Sequence, residues 1–141
     1  LRYFNVFGPR QDPSGPYAAV VPLFAQKLLA GEAPTIYGDG KQTRDFTYID
    51  NVVQANLLAA SVPAAAGQTF NVGSGQATSL LDMLTQLQAI LGTNLPPKFA
   101  ESRVGDVRDS LADISLAREV LGYQPAIELI EGIRRTVAAM R

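Results

Sequence analysis

The chain contains no cysteine and no histidine. Without cysteine it has no disulfide, no thiolate nucleophile and no Cys-ligated metal. Without histidine it has no imidazole general base, no Ser-His-Asp triad and no His-ligated zinc. Chemistry located on these residues is left to carboxylates, Lys, Tyr, Arg or a borrowed cofactor, and neither a catalytic set nor a metal set can be read from them. An excess of one charge is also missing. The 12 basic and 13 acidic residues leave a net charge of −1. They are scattered, so no basic stripe points to nucleic acid or an anionic membrane. No apolar run approaches the roughly 18 residues needed to span a bilayer, and no signal-peptide pattern is present. A cysteine-free, signal-free chain fits the cytoplasm.

What is present is an α/β pattern. The 141 residues, 47% hydrophobic, suffice for one modest domain with a core. Leu1–Val6 reads as a buried strand entered without an initiating Met and ended by Gly8-Pro9. Such a start is expected of a piece of a larger protein. Alone, the piece is expected to be marginal, with an apolar strand edge uncovered. Tyr17–Ala30 reads as a helix with Val20, Phe24 and Leu28 inward and a Gly31 stop. Thr35–Tyr37 and Thr43–Ile49 read as strands joined across Gly38–Lys41, either as a hairpin or through a looser loop. Asp50 is placed to N-cap a helix over Asn51–Ser61, with Val53, Leu57 and Leu58 on its buried face. Pro63–Gly67 reads as a short Ala-rich linker. Further on, Thr69–Val72 is a strand, Ser79 and Asp82 cap a helix over Leu80–Leu91, and Lys98–Ala100 and Ser110–Asp113 are extended. Ser115 is placed to cap a helix to Leu121, and Ile127–Met140 reads as the last amphipathic helix.

Two patterns imitate cofactor chemistry. Gly73-Ser74-Gly75 follows a strand as a dinucleotide fingerprint does, but the third glycine would fall at Thr78. Tyr37 and Lys41 have the Tyr-x-x-x-Lys spacing of a dehydrogenase base, yet Gly38 and Gly40 between them oppose the helix that chemistry needs. Arg44 is either a surface strand residue paired with Asp45 or Asp39, or a guanidinium fork for phosphate. For Arg103, in the Gly-Asp segment Ser102–Ser110, the same alternatives stand. Asp106 and Asp109 either neutralise Arg103 and Arg108 or accept from ribose hydroxyls. Asn5 is polar inside an apolar strand. It either satisfies backbone groups or faces a ligand beyond the strand's carboxyl end.

Leu1–Pro13, Tyr17–Pro22, Gly38–Asn51, Phe70–Gly75, Arg103–Asp113 and Leu121–Pro125 occur in the order seen in the extended short-chain dehydrogenase/reductases. The ordered set covers almost the whole chain, and Tyr3–Pro13 resembles the UDP-sugar 4-epimerases of the NAD-dependent epimerase/dehydratase family. The resemblance implies a C-terminal fragment of a Rossmann-type enzyme. Residues 1–16 would end the cofactor-domain sheet and 17–141 would mainly form the substrate domain. It implies that Phe4 lies near the nicotinamide of NAD and that Asn5 bonds the UDP-sugar. Ala19 and Val20 would pack on uracil, Arg44 and Arg103 hold the diphosphate and Phe46 flank it. Asp106 would accept from the ribose, and Ser110 would border a sugar pocket with room for an N-acetyl group. The glycine-rich fingerprint and the catalytic Tyr-x-x-x-Lys of that family have no counterpart here and would belong to an N-terminal portion, its partner in a homodimeric enzyme. Two rivals stand beside the epimerase: a nucleotide-sugar dehydratase or UDP-glucuronate decarboxylase, and a non-catalytic sugar-nucleotide-binding module.

Overall fold

A computed structural model describes residues 1–12 and 19–140. Its strands are short, and they pair across long sequence separations. β1 (Arg2–Tyr3) lies parallel to β6 (Asn71–Val72), and β2 (Val6–Phe7) parallel to β5 (Thr47–Tyr48). β3 (Thr35–Tyr37) lies parallel to β8 (Lys98–Ala100), while β4 (Thr43–Arg44) runs antiparallel to β7 (Thr78–Ser79). Parallel pairing requires crossovers. These are supplied by α1 (Val20–Leu29), α2 (Ile49–Ser61), α3 (Leu80–Leu91), α4 (Ser115–Leu121) and α5 (Leu129–Ala138). The α/β class read from the sequence is the one observed.

Two cores result. In the first, Val21, Phe24 and Leu28 of α1, Met83, Leu84 and Leu87 of α3, and Ile133 and Val137 of α5 close around Phe7, Ile36 and Tyr48. Phe7 and Tyr48 meet edge to face at 5.7 Å. Val52 and Ala55 of α2 build the second core with Phe70, Val72, Ala112, Ile114 and Tyr123. Asn51, 1% exposed, ties the two together. Its Oδ1 accepts from the amides of Ala126 and Ile127, and its Nδ2 donates to the Ile127 carbonyl, which holds the chain entering α5.

Several local expectations are corrected. Leu1–Val6 is not one buried strand: Leu1, Arg2 and Tyr3 are exposed, and Asn5, at φ +33°, breaks the run in two. Thr35–Tyr37 and Thr43–Ile49 do not form a hairpin, because β3 pairs with β8, some 60 residues on. Gly38 and Gly40, at φ +84° and +75°, turn the chain between them and confirm that Tyr37–Lys41 is no helix. Thr43–Ile49 divides into β4 and β5 and runs on into α2. Asp50 lies in the first turn of that helix, whose N-cap is Tyr48. The inward residues of α2 are Asn51, Val52 and Ala55, whereas Val53 and Leu57 are exposed. Pro63–Ala65 forms a 3₁₀ turn. Ser115 is the first residue of α4 rather than its cap, with Asp113 Oδ1 accepting its amide at 2.9 Å. Ser79 does cap α3, accepting from the Asp82 amide at 3.0 Å. Residues 17 and 18 of the expected first helix lie outside the described residues.

The Gly73-Ser74-Gly75 turn has a structural use. Asp45 is fully buried, and its carboxylate accepts from Ser74 N at 2.7 Å, Ser74 Oγ at 2.6 Å, Gly75 N at 3.0 Å and Ala112 N at 3.2 Å. A buried charge persists only when dipoles replace its water, and a nest of backbone N–H groups does that. Gly73 cannot carry a side chain, since a Cβ there would stand 2.5 Å from both Ala112 Cβ and Asp45 Oδ2. Above it, the fully buried Tyr123 donates its hydroxyl to the Gly73 carbonyl at 2.9 Å.

Asp45→Ala strands three amides, each costing about 1–3 kcal/mol when unpaired, so a loss of about 3 kcal/mol or more is expected. The urea midpoint measures it, and an unmoved midpoint would contradict the nest. Burial first, then the charge of Asp45, pushes the Tyr123 hydroxyl up to about 12, above the ordinary tyrosine value of about 10. The unfolded chain therefore releases this proton first, and the tyrosine's contribution is complete below pH ~10 and lost as pH rises toward ~12. Urea unfolding at intervals from pH 8 to 11.5 is expected to show a steeper alkaline fall for the wild type than for Tyr123→Phe.

Candidate functional site

A cavity of about 610 Å³ opens between α1, β3, β4 and the exposed strap 101–109. Its wall includes Asn5, Ala19, Val20, Arg44, Phe46, Arg103 and Asp106, residues drawn from four separate stretches of sequence. Phe4 and Ser110 are not part of that wall. Phe4 is half-buried against the second core, its amide donating to Val72 O, and Ser110 N donates to Thr43 O.

Local geometry explains each placement. Gln42, Arg44 and Phe46 alternate along an extended segment, so their side chains share one face and all three line the cavity, while Asp45 turns to its nest on the other side. Arg44 is largely buried, its side chain 15% exposed. Its Nη2 donates to Asp106 Oδ1 at 2.5 Å and its Nη1 to the carbonyls of Thr43 and Arg108. Arg103 lies over the Tyr37 ring, 4.1 Å from its centroid, a cation–π contact. Both guanidinium groups thus face one cavity and are held by groups of the chain itself.

The strap is anchored at its far end. Thr43 Oγ1 donates to Asp109 Oδ1 at 2.7 Å, Thr43 N donates to Arg108 O, and Thr43 and Asp109 form an isolated parallel bridge. Arg108 makes a two-pronged pair with Asp39 at 2.8 and 3.0 Å. Those bonds, together with the Lys41 amide, hold the Asp39 carboxyl below the usual carboxylate range. Of the two acids weighed for Arg103 and Arg108, Asp106 pairs with Arg44 and Asp109 with Thr43.

Tyr37, Gln11 and Gln42 also stand in the wall, and the sequence assigned none of them a binding role. Each glutamine donates Nε2 to a backbone carbonyl, Gln11 to Val6 at 3.2 Å and Gln42 to Tyr37 at 2.6 Å, and each Oε1 is buried without a partner among the described residues. Alternation with Arg44 and Phe46 was the available signal for Gln42, and Gln11 lies within Tyr3–Pro13, the stretch that resembles the 4-epimerases.

The Gly73-Ser74-Gly75 turn, which follows β6, already binds a carboxylate, so its N–H groups are not offered to a pyrophosphate. Among the described residues no group of His, Cys, Asp and Glu could hold a metal ion, and no helix is long and apolar enough to cross a membrane.

The chain resembles known proteins in sequence and in fold. The model of the NAD dependent epimerase/dehydratase family matches residues 1–73. A UDP-glucose 4-epimerase of Mycolicibacterium smegmatis is 47% identical over 97% of this chain and 43% of its own length. A UDP-N-acetyl-alpha-D-glucosaminuronate decarboxylase of Bacillus cytotoxicus is 30% identical over 100% of the chain and 45% of its own. Among solved structures, the UDP-glucose 4-epimerase of Thermotoga maritima, crystallised with UDP-glucose, superposes with a TM-score of 0.94 at 43% identity, covering 99% of this chain and 44% of that one. The UDP-N-acetylglucosamine 4-epimerase of Methanobrevibacter ruminantium, in complex with UDP-N-acetylmuramic acid, reaches 0.92 at 39% identity, with 99% and 44% covered. The chain therefore spans less than half the length of the relatives it matches. On the family model, the sequence similarity and the shared fold, the chain belongs to the NAD dependent epimerase/dehydratase family.

Proposed function

We propose that the chain forms the nucleotide-sugar-holding portion of an NAD-dependent UDP-hexose 4-epimerase. The observation that carries this reading is the pair of guanidinium groups, Arg44 and Arg103, on separate elements of one cavity of about 610 Å³. A nucleotide-sugar diphosphate brings about two negative charges, and planar guanidinium forks match its oxygens two at a time. In this reading the diphosphate replaces Asp106 at Arg44, and the released carboxylate accepts from the ribose. Arg103 moves from the Tyr37 ring to the second phosphate. Ala19 and Val20 flank the base, Phe46 flanks the diphosphate, and Asn5 meets the sugar.

Within a complete enzyme these residues orient the substrate and exclude water. NAD, when bound by the rest of such an enzyme, supplies the hydride exchange at the sugar's C4. The similarity to relatives of about twice this length supports a further part of the proposal. Ile49, Val53 and Leu57 recur every fourth residue on α2, and with Tyr3 they stay exposed beside the short β1. That apolar face and the open edge of β1 are the surfaces against which an N-terminal cofactor-binding portion would pack. A decarboxylase also stands among the relatives, so the choice of 4-epimerase rests on the higher identity to an epimerase, 47% against 30%.

Titration calorimetry with UDP tests the site. The wild-type chain is expected to bind UDP, and Arg44→Ala and Arg103→Ala each to bind it about tenfold or more weakly, as loss of a charge-assisted phosphate contact predicts. Equal affinities of the three proteins would refute the phosphate assignment.

A further inference from the structure

Phosphate binding accounts for Arg44 and Arg103 but leaves Gln42 unused. Gln42 is 6% exposed and stands in the cavity wall. The bond from Nε2 to Tyr37 O fixes which end of its amide is which. Nε2 is committed to the backbone, and the amide faces its remaining surroundings with Oε1, a buried acceptor without a donor. Such an orphan is costly in a folded chain and is retained where another molecule completes it.

The position of the amide narrows what that molecule offers. A Cβ on Gly38 would stand 3.7 Å from Gln42 Nε2, 3.9 Å from Oε1 and 3.7 Å from Ser102 Cβ, so the amide lies at the root of the strap that carries Arg103 and Asp106. A diphosphate near neutral pH has acceptors only and cannot satisfy Oε1. The partner must be a donor next to the phosphates, and a nucleoside has two kinds, the imide N–H of its base and the hydroxyls of its ribose.

We infer that Gln42 is a specificity residue whose Oε1 accepts a hydrogen bond from the nucleoside part of the ligand. It thereby selects nucleotides that carry that donor over those that lack it. The inference rests on the nucleotide-sugar reading proposed above and extends it from the phosphates to the nucleoside. Displacement of Asp106 from Arg44 loosens the strap over the amide, so phosphate capture precedes the reading of the nucleoside. A wall built to complete a hydrogen bond rejects an analogue without the donor more strongly than an apolar wall rejects a shape, because the orphan is then left in place.

Calorimetry with UDP, 2′,3′-dideoxy-UDP, CDP and inorganic pyrophosphate on the wild type and Gln42→Met decides the matter. The dideoxy compound lacks both ribose hydroxyls, and CDP presents an acceptor where UDP has its imide N–H. The wild type is expected to bind one of the two about tenfold more weakly than UDP, which identifies the donor. Gln42→Met is expected to lose that preference and bind UDP about tenfold more weakly, with pyrophosphate affinity unchanged. If Gln42→Met does not fold, Gln42→Asn, which keeps the amide but shortens its reach, is read in the same way. A wild type that binds UDP, 2′,3′-dideoxy-UDP and CDP alike overturns the inference, as does a variant that retains the preference. A wild type that binds neither UDP nor pyrophosphate overturns the nucleotide-sugar reading and this inference with it, whereas failure at Gln42 with UDP bound overturns this inference alone.

Discussion

A single buried carboxylate organises the molecule. Asp45 lies where the extended segment carrying Gln42, Arg44 and Phe46 passes between the two cores, and it gathers donors from Ser74, Gly75 and Ala112. Those three positions begin the return toward β7 and the approach to α4. Among the described residues the carboxylate makes no salt bridge; neutral dipoles replace its lost hydration, and this demands near-complete enclosure. Gly73 is the consequence, a position where the nest leaves no room for a Cβ. Because neighbouring residues of an extended segment face opposite ways, anchoring Asp45 inward sets Arg44 and Phe46 toward the cavity. The structural anchor and the candidate ligand contacts are therefore parts of one backbone geometry.

The cavity is built in a provisional electrostatic state. Arg44 holds Asp106 and Arg103 rests on Tyr37, so neither guanidinium is left bare in a low-dielectric wall. Such pairs hold the two guanidinium groups in place, the largely buried one on Asp106 and the exposed one on the Tyr37 ring. The strap that carries Arg103 and Asp106 is exposed along its length yet pinned at Thr43–Asp109 and Asp39–Arg108. A segment anchored at one end and latched by exchangeable charges near the other suits ligand entry.

Much of this was legible in the residues. The α/β alternation, the stops at Gly31, Gly92 and Gly122, and the Ser79 cap follow from local conformational preferences, and these survived folding. The ordered segments that resemble the UDP-sugar 4-epimerases pointed to the family and to Asn5, Ala19, Val20, Arg44, Phe46, Arg103 and Asp106, which one cavity brings together. Other readings failed where partners are distant. The pairing of β3 with β8 cannot be told from a hairpin by local pattern, since Asp39-Gly40 invites a turn in either case. The inner face of α2 was misread because the helix has two apolar faces, and periodicity does not say which one meets the core.

The sequence by itself determined what chemistry this chain can hold: no thiol, no imidazole, two arginines within motifs suited to a diphosphate, and a glycine turn missing the third residue of a dinucleotide fingerprint. Only the tertiary structure decided that this turn binds the chain's own Asp45, that Asp106 belongs to Arg44, and that Gln42 keeps an oxygen without a donor. The reason is physical. Residue type sets which hydrogen bonds and charges are available, but whether each is already satisfied depends on which distant segment folds against it.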